Sequence, residues 1–218
     1  ASRGDAPRGC VWRRQLDVPL SWVKAFFQND AMLVRTFALH EYLNEGLQIR
    51  ITTDACAWDL GAALMIDGIF QEYLHDPLTD FDYEKFGHAQ GCGKGQQTWE
   101  AMALLVALRL WAPIWKGKRV TITVRSDSVS ALSAALNLTS DGVNTNLIAR
   151  EMALDISQSV YRPTIVAHIP GTCNILADVL SRWHEPGSSR SLPPPLRGAT
   201  LRSLPPRAAS YFRATTPP

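Results

Sequence analysis

Glu100 is the only acid in the apolar stretch 97–113, QTWEAMALLVALRLWAP. An ionised carboxylate on so greasy a helix costs on the order of several kcal/mol unless a cation meets it. Arg109 lies too far along the helix to be an i+4 partner, so the compensating charge has to come from elsewhere. Asp54 and Asp127 each end a run of alternating apolar and polar residues, the position where sheets flanked by helices bind ligands. Either one alone is more ordinarily a turn or cap residue. Asp178, in NILADVLSR (174–182), sits too deep in its helix to be an N-cap and has surface solvation as its ordinary use. Taken together, these four carboxylates form a ligand set for two Mg²⁺ ions, and the absence of His or Cys at ligand spacing favours magnesium over zinc. Without metal they would repel one another and bind protons more tightly. With a metal pair, such a cluster hydrolyses phosphodiesters.

The elements that must position these acids are legible in the same pattern. Residues 47–54 alternate as a strand ending at Asp54, and 61–66 and 69–74, joined by Asp67–Gly68, read as a hairpin. A polar loop over 76–95 leads into the apolar helix, which Pro113 is expected to end or to precede the end of by a short way. A fourth strand over 120–124 runs into Ser126–Asp127–Ser128, where a capping serine starts a short helix to about Asn137. An amphipathic helix carries Ile148, Met152 and Ile156, and Pro163 stops it. A fifth strand over 164–169, a Pro170–Gly171 turn and a last helix over 174–183 complete the chain's core. The expectation is a mixed α/β domain with five strands in the element order βββαβααβα, occupying 47–186. Residues 1–16 read as a disordered basic lead and 17–46 as a helical lead-in with a break near Asn29–Asp30. The Pro-, Ser- and Arg-rich stretch 187–218 reads as a disordered tail.

Composition sets the class. The chain has 218 residues, 46% of them hydrophobic, enough for one sizeable core. Its net charge of +2 is uneven: residues 1–16 and 187–218 carry nine arginines against one acid, leaving 13 basic and 19 acidic residues between them. A basic fringe around an acidic body suits a polyanion-binding enzyme whose acids gather at a metal, although ordinary solvated charge explains the composition equally well. Lys116, Lys118 and Arg119 are the compact basic cluster of the body, fit either to touch phosphates or to solvate a turn. The four scattered cysteines signal neither disulfides nor zinc, pointing to cytosol or nucleus, and no apolar run reaches bilayer length.

Four blocks carry a family resemblance: TDACAWDLGAAL (53–64), GQQTWEAMALLVAL (95–108), VRSDSVSAL (124–132) and HIPGTCNILADVLSR (168–182). In this order they resemble the ribonuclease H domain of reverse transcriptases from LTR retrotransposons, gypsy-type elements especially. The resemblance implies a ribonuclease H-like fold and endonucleolytic cutting of the RNA strand of RNA–DNA hybrids. It implies two Mg²⁺ or Mn²⁺ ions held by Asp54, Glu100, Asp127 and Asp178, and an upstream polymerase domain as partner. Gln96, Gln97 and Thr98 match positions that contact the hybrid, although as a first helical turn they equally well satisfy backbone groups. Trp58 is placed either to stack on a base or sugar or to cap the core, and Asn174 in the loop before the last helix is a further substrate-contact expectation. The chain departs from the family in that loop, where PGTCN (170–174) lacks the usual histidine. His168, earlier on the fifth strand, is not assigned that role. Asp59 is expected to be a turn residue, and Asp76, Asp80 and Asp82 solvated acids of the long loop. Two alternatives are an idle module of this fold that only grips nucleic acid and a same-fold nuclease with another substrate.

Overall fold

The computed structural model describes residues 13–28, 43, 45–158, 160–163 and 165–213. The alternation of residues 47–54 gives β1 (Leu47–Ala55), which pairs antiparallel with β2 (Asp59–Ile66), itself antiparallel to β3 (Ile69–Pro77). The Asp67–Gly68 turn that joins β2 to β3 has both residues at positive φ, 47° and 86°, as a two-residue hairpin loop requires. β4 (Val120–Ser126) lies parallel to β1, and β5 (Ile165–His168) lies parallel to β4.

A six-stranded mixed sheet results, ordered β5-β4-β1-β2-β3-β6. The sixth strand, β6 (Thr200–Leu201), was not expected: it comes from the stretch read as a disordered tail and pairs parallel with β3. The tail reading is corrected over 187–213. A few large anchors there find distant partners. Leu196, fully buried, joins Ala63, Tyr73 and Leu180. Phe212 stacks on Phe81 and meets Phe86 edge-on. Arg207 reaches Asp82 at 2.7 Å and also pairs with Asp76. Asp82 and Asp76 are therefore neutralised in the interior, not solvated, whereas Asp80 is exposed as expected.

One face of the sheet is covered by α3 (Gln96–Trp115), with α4 (Val129–Asn137) and α5 (Val143–Ser157) against it. Its apolar side chains, Trp99, Met102, Leu105 and Leu108 among them, share a core with Ile49, Ile51, Ile122 and Val124. Pro113 shortly precedes the end of α3, one of its two expected placements. It lies in the last turn, where one missing hydrogen bond is outweighed by burial of Trp111 and Trp115 on either side. The expected loop before α3 contains a short helix, α2 (Asp80–Phe86), started by a reciprocal capping box between Thr79 and Asp82. As anticipated, the Ser128 hydroxyl caps α4, accepting from the Ala131 amide at 3.2 Å.

On the opposite face lies α6 (Ile175–Ser181), packed so tightly on β2 that only glycine fits at position 61. A Cβ there would fall 2.3 Å from the Ser181 nitrogen and 2.5 Å from the Ala177 oxygen. The lead-in helix, α1 (Arg13–Gln28), begins inside the stretch read as disordered, and Trp22 anchors it by donating to the Arg150 carbonyl at 3.2 Å. The expected break at Asn29–Asp30 and residues 1–12 lie outside the described residues. Among the described residues no helix is long and apolar enough to cross a membrane.

Candidate metal centre

The parallel pairing of β1 with β4 sets Thr52 beside Arg125, so Asp54 and Asp127, each two residues further on, leave the same end of the sheet together. The first turns of α3 pass over that edge. Gln96 donates its side-chain amide to the Ala55 carbonyl at 2.5 Å, pinning the helix to the end of β1. One turn later Glu100 meets the two aspartates, and Asp54, Glu100 and Asp127 each offer a carboxylate oxygen within 4.8 Å of the others.

Among the described residues, each of these acids receives one neutral side-chain donor, and Asp54 also a backbone hydrogen bond from Ala55. Ser181 Oγ donates to Asp54 at 2.7 Å, Gln96 Nε2 to Glu100 Oε1 at 2.7 Å, and Asn174 Nδ2 to Asp127 Oδ1 at 3.1 Å. Among the described residues, none donates to Glu100 Oε2, which is buried. Asp54 and Glu100 are 5% and 7% exposed, too enclosed for water to screen their charges. Burial, and then the neighbouring charge of Asp54, pushes the Glu100 carboxyl up to about 9. Burial likewise raises Asp54 to about 6, with the Ser181 hydroxyl opposing it and the charge of Asp127 adding to it. A group of oxygens this crowded and this short of donors fits a hard divalent cation such as Mg²⁺.

Asp178 stands apart from this trio. Its side chain, 41% exposed, pairs with Arg182 at 2.7 Å, one turn along α6. Its charge nevertheless contributes to raising Asp54.

The expected substrate contacts divide. Gln97 is exposed at the start of α3, and Trp58 is half-buried in the loop after β1, lying on Gly91, where a Cβ would come 2.7 Å from its ring. Gln96 is committed to Ala55 and Glu100. Thr98, in the first turn of α3, and Asn174 are only 5% and 1% exposed, and Asn174 faces inward to Asp127. The Lys116–Arg119 cluster precedes β4, with Arg119 eight positions from Asp127, about 26 Å along an extended strand, and Arg119 pairs loosely with Glu45 at 3.8 Å. His168 is exposed at the end of β5, with Nε2 3.2 Å from the Asp127 carbonyl.

Two polar residues at this end of the sheet escaped sequence reasoning. Ser181 had no local signal beyond its place in the LSR block. Asp59, expected as a turn residue, instead opens β2, is fully buried and accepts from both the backbone and the ring of His184, at 2.5 and 2.6 Å.

No protein-family model matches the chain, and no curated protein matches it. Seven chains of solved structure do. Among them, RNase H1 from the halophilic archaeon Halobacterium salinarum NRC-1 is 18% identical with a TM-score of 0.42, over 61% of this chain and 93% of that one. LC11-RNase H1, isolated from compost by a metagenomic approach, is 16% identical with a TM-score of 0.42, over 62% of this chain and 91% of that one. Likeness at this level assigns no activity, and function rests on the chemistry of the acids themselves.

Proposed function

We propose that this chain is a ribonuclease H that cuts the RNA strand of RNA–DNA hybrids endonucleolytically, as part of a gypsy-type retroelement reverse transcriptase and beside an upstream polymerase domain. One observation carries the reading: Asp54, Glu100 and Asp127 converge within 4.8 Å at the strand ends, with Glu100 Oε2 buried and without a donor among the described residues. The four sequence blocks that contain these acids agree with it. Asp54, Glu100 and Asp127 would hold Mg²⁺, with Mn²⁺ as substitute. When bound, the metal supplies the positive charge that acidifies a water and stabilises a leaving phosphoester oxygen.

The chain's own residues prepare that site. Gln96 fixes one oxygen of Glu100, leaving Oε2 for the cation. Gln97, exposed beside it, both donates and accepts, which suits reading of RNA 2′-hydroxyls, and Trp58 offers an apolar edge for a sugar or base. A second ion would call on Asp178, which must first leave Arg182. That same pair favours the one rival reading, an idle module of this fold that grips nucleic acid without cutting it.

The test is cleavage of an end-labelled RNA strand annealed to DNA, with Mg²⁺ and with chelator. Metal-dependent cutting that Asp127→Asn abolishes, with its circular dichroism spectrum unchanged, supports the assignment. Binding of the hybrid without turnover in either Mg²⁺ or Mn²⁺ favours the idle module.

A further inference from the structure

α6 is only seven residues long, yet both of its ends touch the acids. Asn174, Asp178 and Ser181 fall at i, i+4 and i+7, on one side of the helix and its cap. Asparagine before a helix ordinarily turns its side chain back to cap the first amides, but Asn174 makes no such bond. Its amide spans two strands instead, donating to the Thr53 carbonyl of β1 and to Asp127 Oδ1 beyond β4, both at 3.1 Å. The residue is 1% exposed, and its own Oδ1 is buried without a partner among the described residues, a cost that its placement has to outweigh.

At the other end, Ser181 Oγ has the usual alternative of a serine late in a helix, the Asp178 carbonyl at 3.0 Å. The shorter contact is to Asp54 Oδ2, at 2.7 Å, and Ser181 is completely buried. Two further close fits keep the helix from sliding. Gly61 admits the backbone of α6 against β2, and Gly171 admits Asp127, whose Oδ2 would lie 3.0 Å from a Cβ at that position.

We infer that Asn174 and Ser181 are positioning residues, through which α6 acts as a rigid bar holding Asp127 and Asp54 at the separation a divalent cation needs. The inference rests on the ribonuclease reading of the three acids and adds the part that sets their spacing. Neither residue touches substrate. Each orients a ligand, and outer partners of this kind typically change metal affinity by 10–100-fold when removed.

The experiment is calorimetric titration of Mn²⁺ into the full chain, for the wild type, Ser181→Ala, Ser181→Cys and Asn174→Ala. Ser157→Ala is the control, since it removes a hydroxyl bound to the Leu154 carbonyl at the far end of α5. Ser181→Ala removes one oxygen atom without disturbing the packing on Gly61, so it keeps the test open if Asn174→Ala fails to fold. Both alanine variants at the bar should bind Mn²⁺ on the order of ten-fold or more weakly. Ser181→Cys, keeping the volume and a weak donor, should fall between. Excess metal should restore the cleavage rate of Ser181→Ala, with KM for the hybrid unchanged. Mn²⁺ affinity within two-fold of wild type in Ser181→Ala overturns the inference, since a purely structural serine would lower stability and leave metal binding alone. A wild type that takes up no Mn²⁺ overturns the ribonuclease reading itself, and the inference falls with it.

Discussion

Replacing Arg207 with methionine tests whether the last stretch of chain is part of the fold. The guanidinium is 2% exposed and reaches Asp82, which is fully buried, at 2.7 Å, while also pairing with Asp76, which is 12% exposed. Methionine keeps the apolar stem and removes the charge, leaving two carboxylates without their cation. Breaking a buried pair by deleting one partner costs about 3–5 kcal/mol. Asp82 retains the Thr79 amide and hydroxyl, both at 2.9 Å, so the loss should stay within that range and not double. For a chain of this size it corresponds to a fall in Tm of roughly 6–20 °C. Burial already holds Asp76 above its ordinary value, against the opposing pull of Arg207, and deleting Arg207 lets it rise further. A carboxyl raised in the folded state contributes stability at low pH that is lost as pH rises, so the deficit of the variant should grow between pH 4 and pH 7. Thermal and urea unfolding followed by circular dichroism in chelator measure it. Restoring neutrality with Asp76→Asn and Asp82→Asn in the same chain should recover most of the loss. A deficit below about 1 kcal/mol at pH 7, the range of exposed ion pairs, would show that Arg207 is not held in the interior.

Three other perturbations probe the acidic edge. With Glu100 held up to about 9 by burial and by Asp54, against an ordinary value of 4.5, the metal-free protein should lose thermal stability steadily from pH 5 to pH 9. Glu100→Gln should flatten that slope and melt roughly 5–10 °C higher than wild type at pH 8.5 in chelator; an equal or lower Tm contradicts the argument. Gly61→Ala should force α6 off β2, because the clashing atoms are backbone; a drop in both Tm and Mn²⁺ affinity is expected, and a folded variant with normal Mn²⁺ binding would deny the link between that contact and the site. Arg182→Gln should free Asp178 and lower the metal concentration needed for half-maximal cleavage, and a higher requirement would show that the Asp178–Arg182 pair supports the site.

Much of the site was legible because its signals are local. Alternation carries β1 to Asp54 and β4 toward Asp127, and a lone Glu100 on an apolar helix betrays itself against its neighbours. Other parts were hidden for physical reasons. Arg207 and Asp82 lie 125 positions apart, and in a stretch rich in Pro, Ser and Arg a few anchors such as Leu196 and Phe212 are outweighed by composition. Ser181 and Asp54 are separated by 127 positions, so no periodicity links them. The Thr79–Asp82 capping box is a local signal, but the polar composition of residues 76–95 masks the short α2 that it starts. Pro113 marks the end of α3 to within two residues, because a proline in the final turn removes one hydrogen bond and two buried tryptophans more than offset it.

The most direct measurement of the central claim is a side-by-side digestion of matched RNA–DNA, RNA–RNA and DNA–DNA duplexes by the purified chain, with Mg²⁺ or chelator and each strand labelled in turn. Cutting confined to the RNA strand of the hybrid, dependent on metal and lost in Glu100→Gln, is the predicted result. Equal cutting of all three duplexes, or cutting that survives chelator, would contradict it.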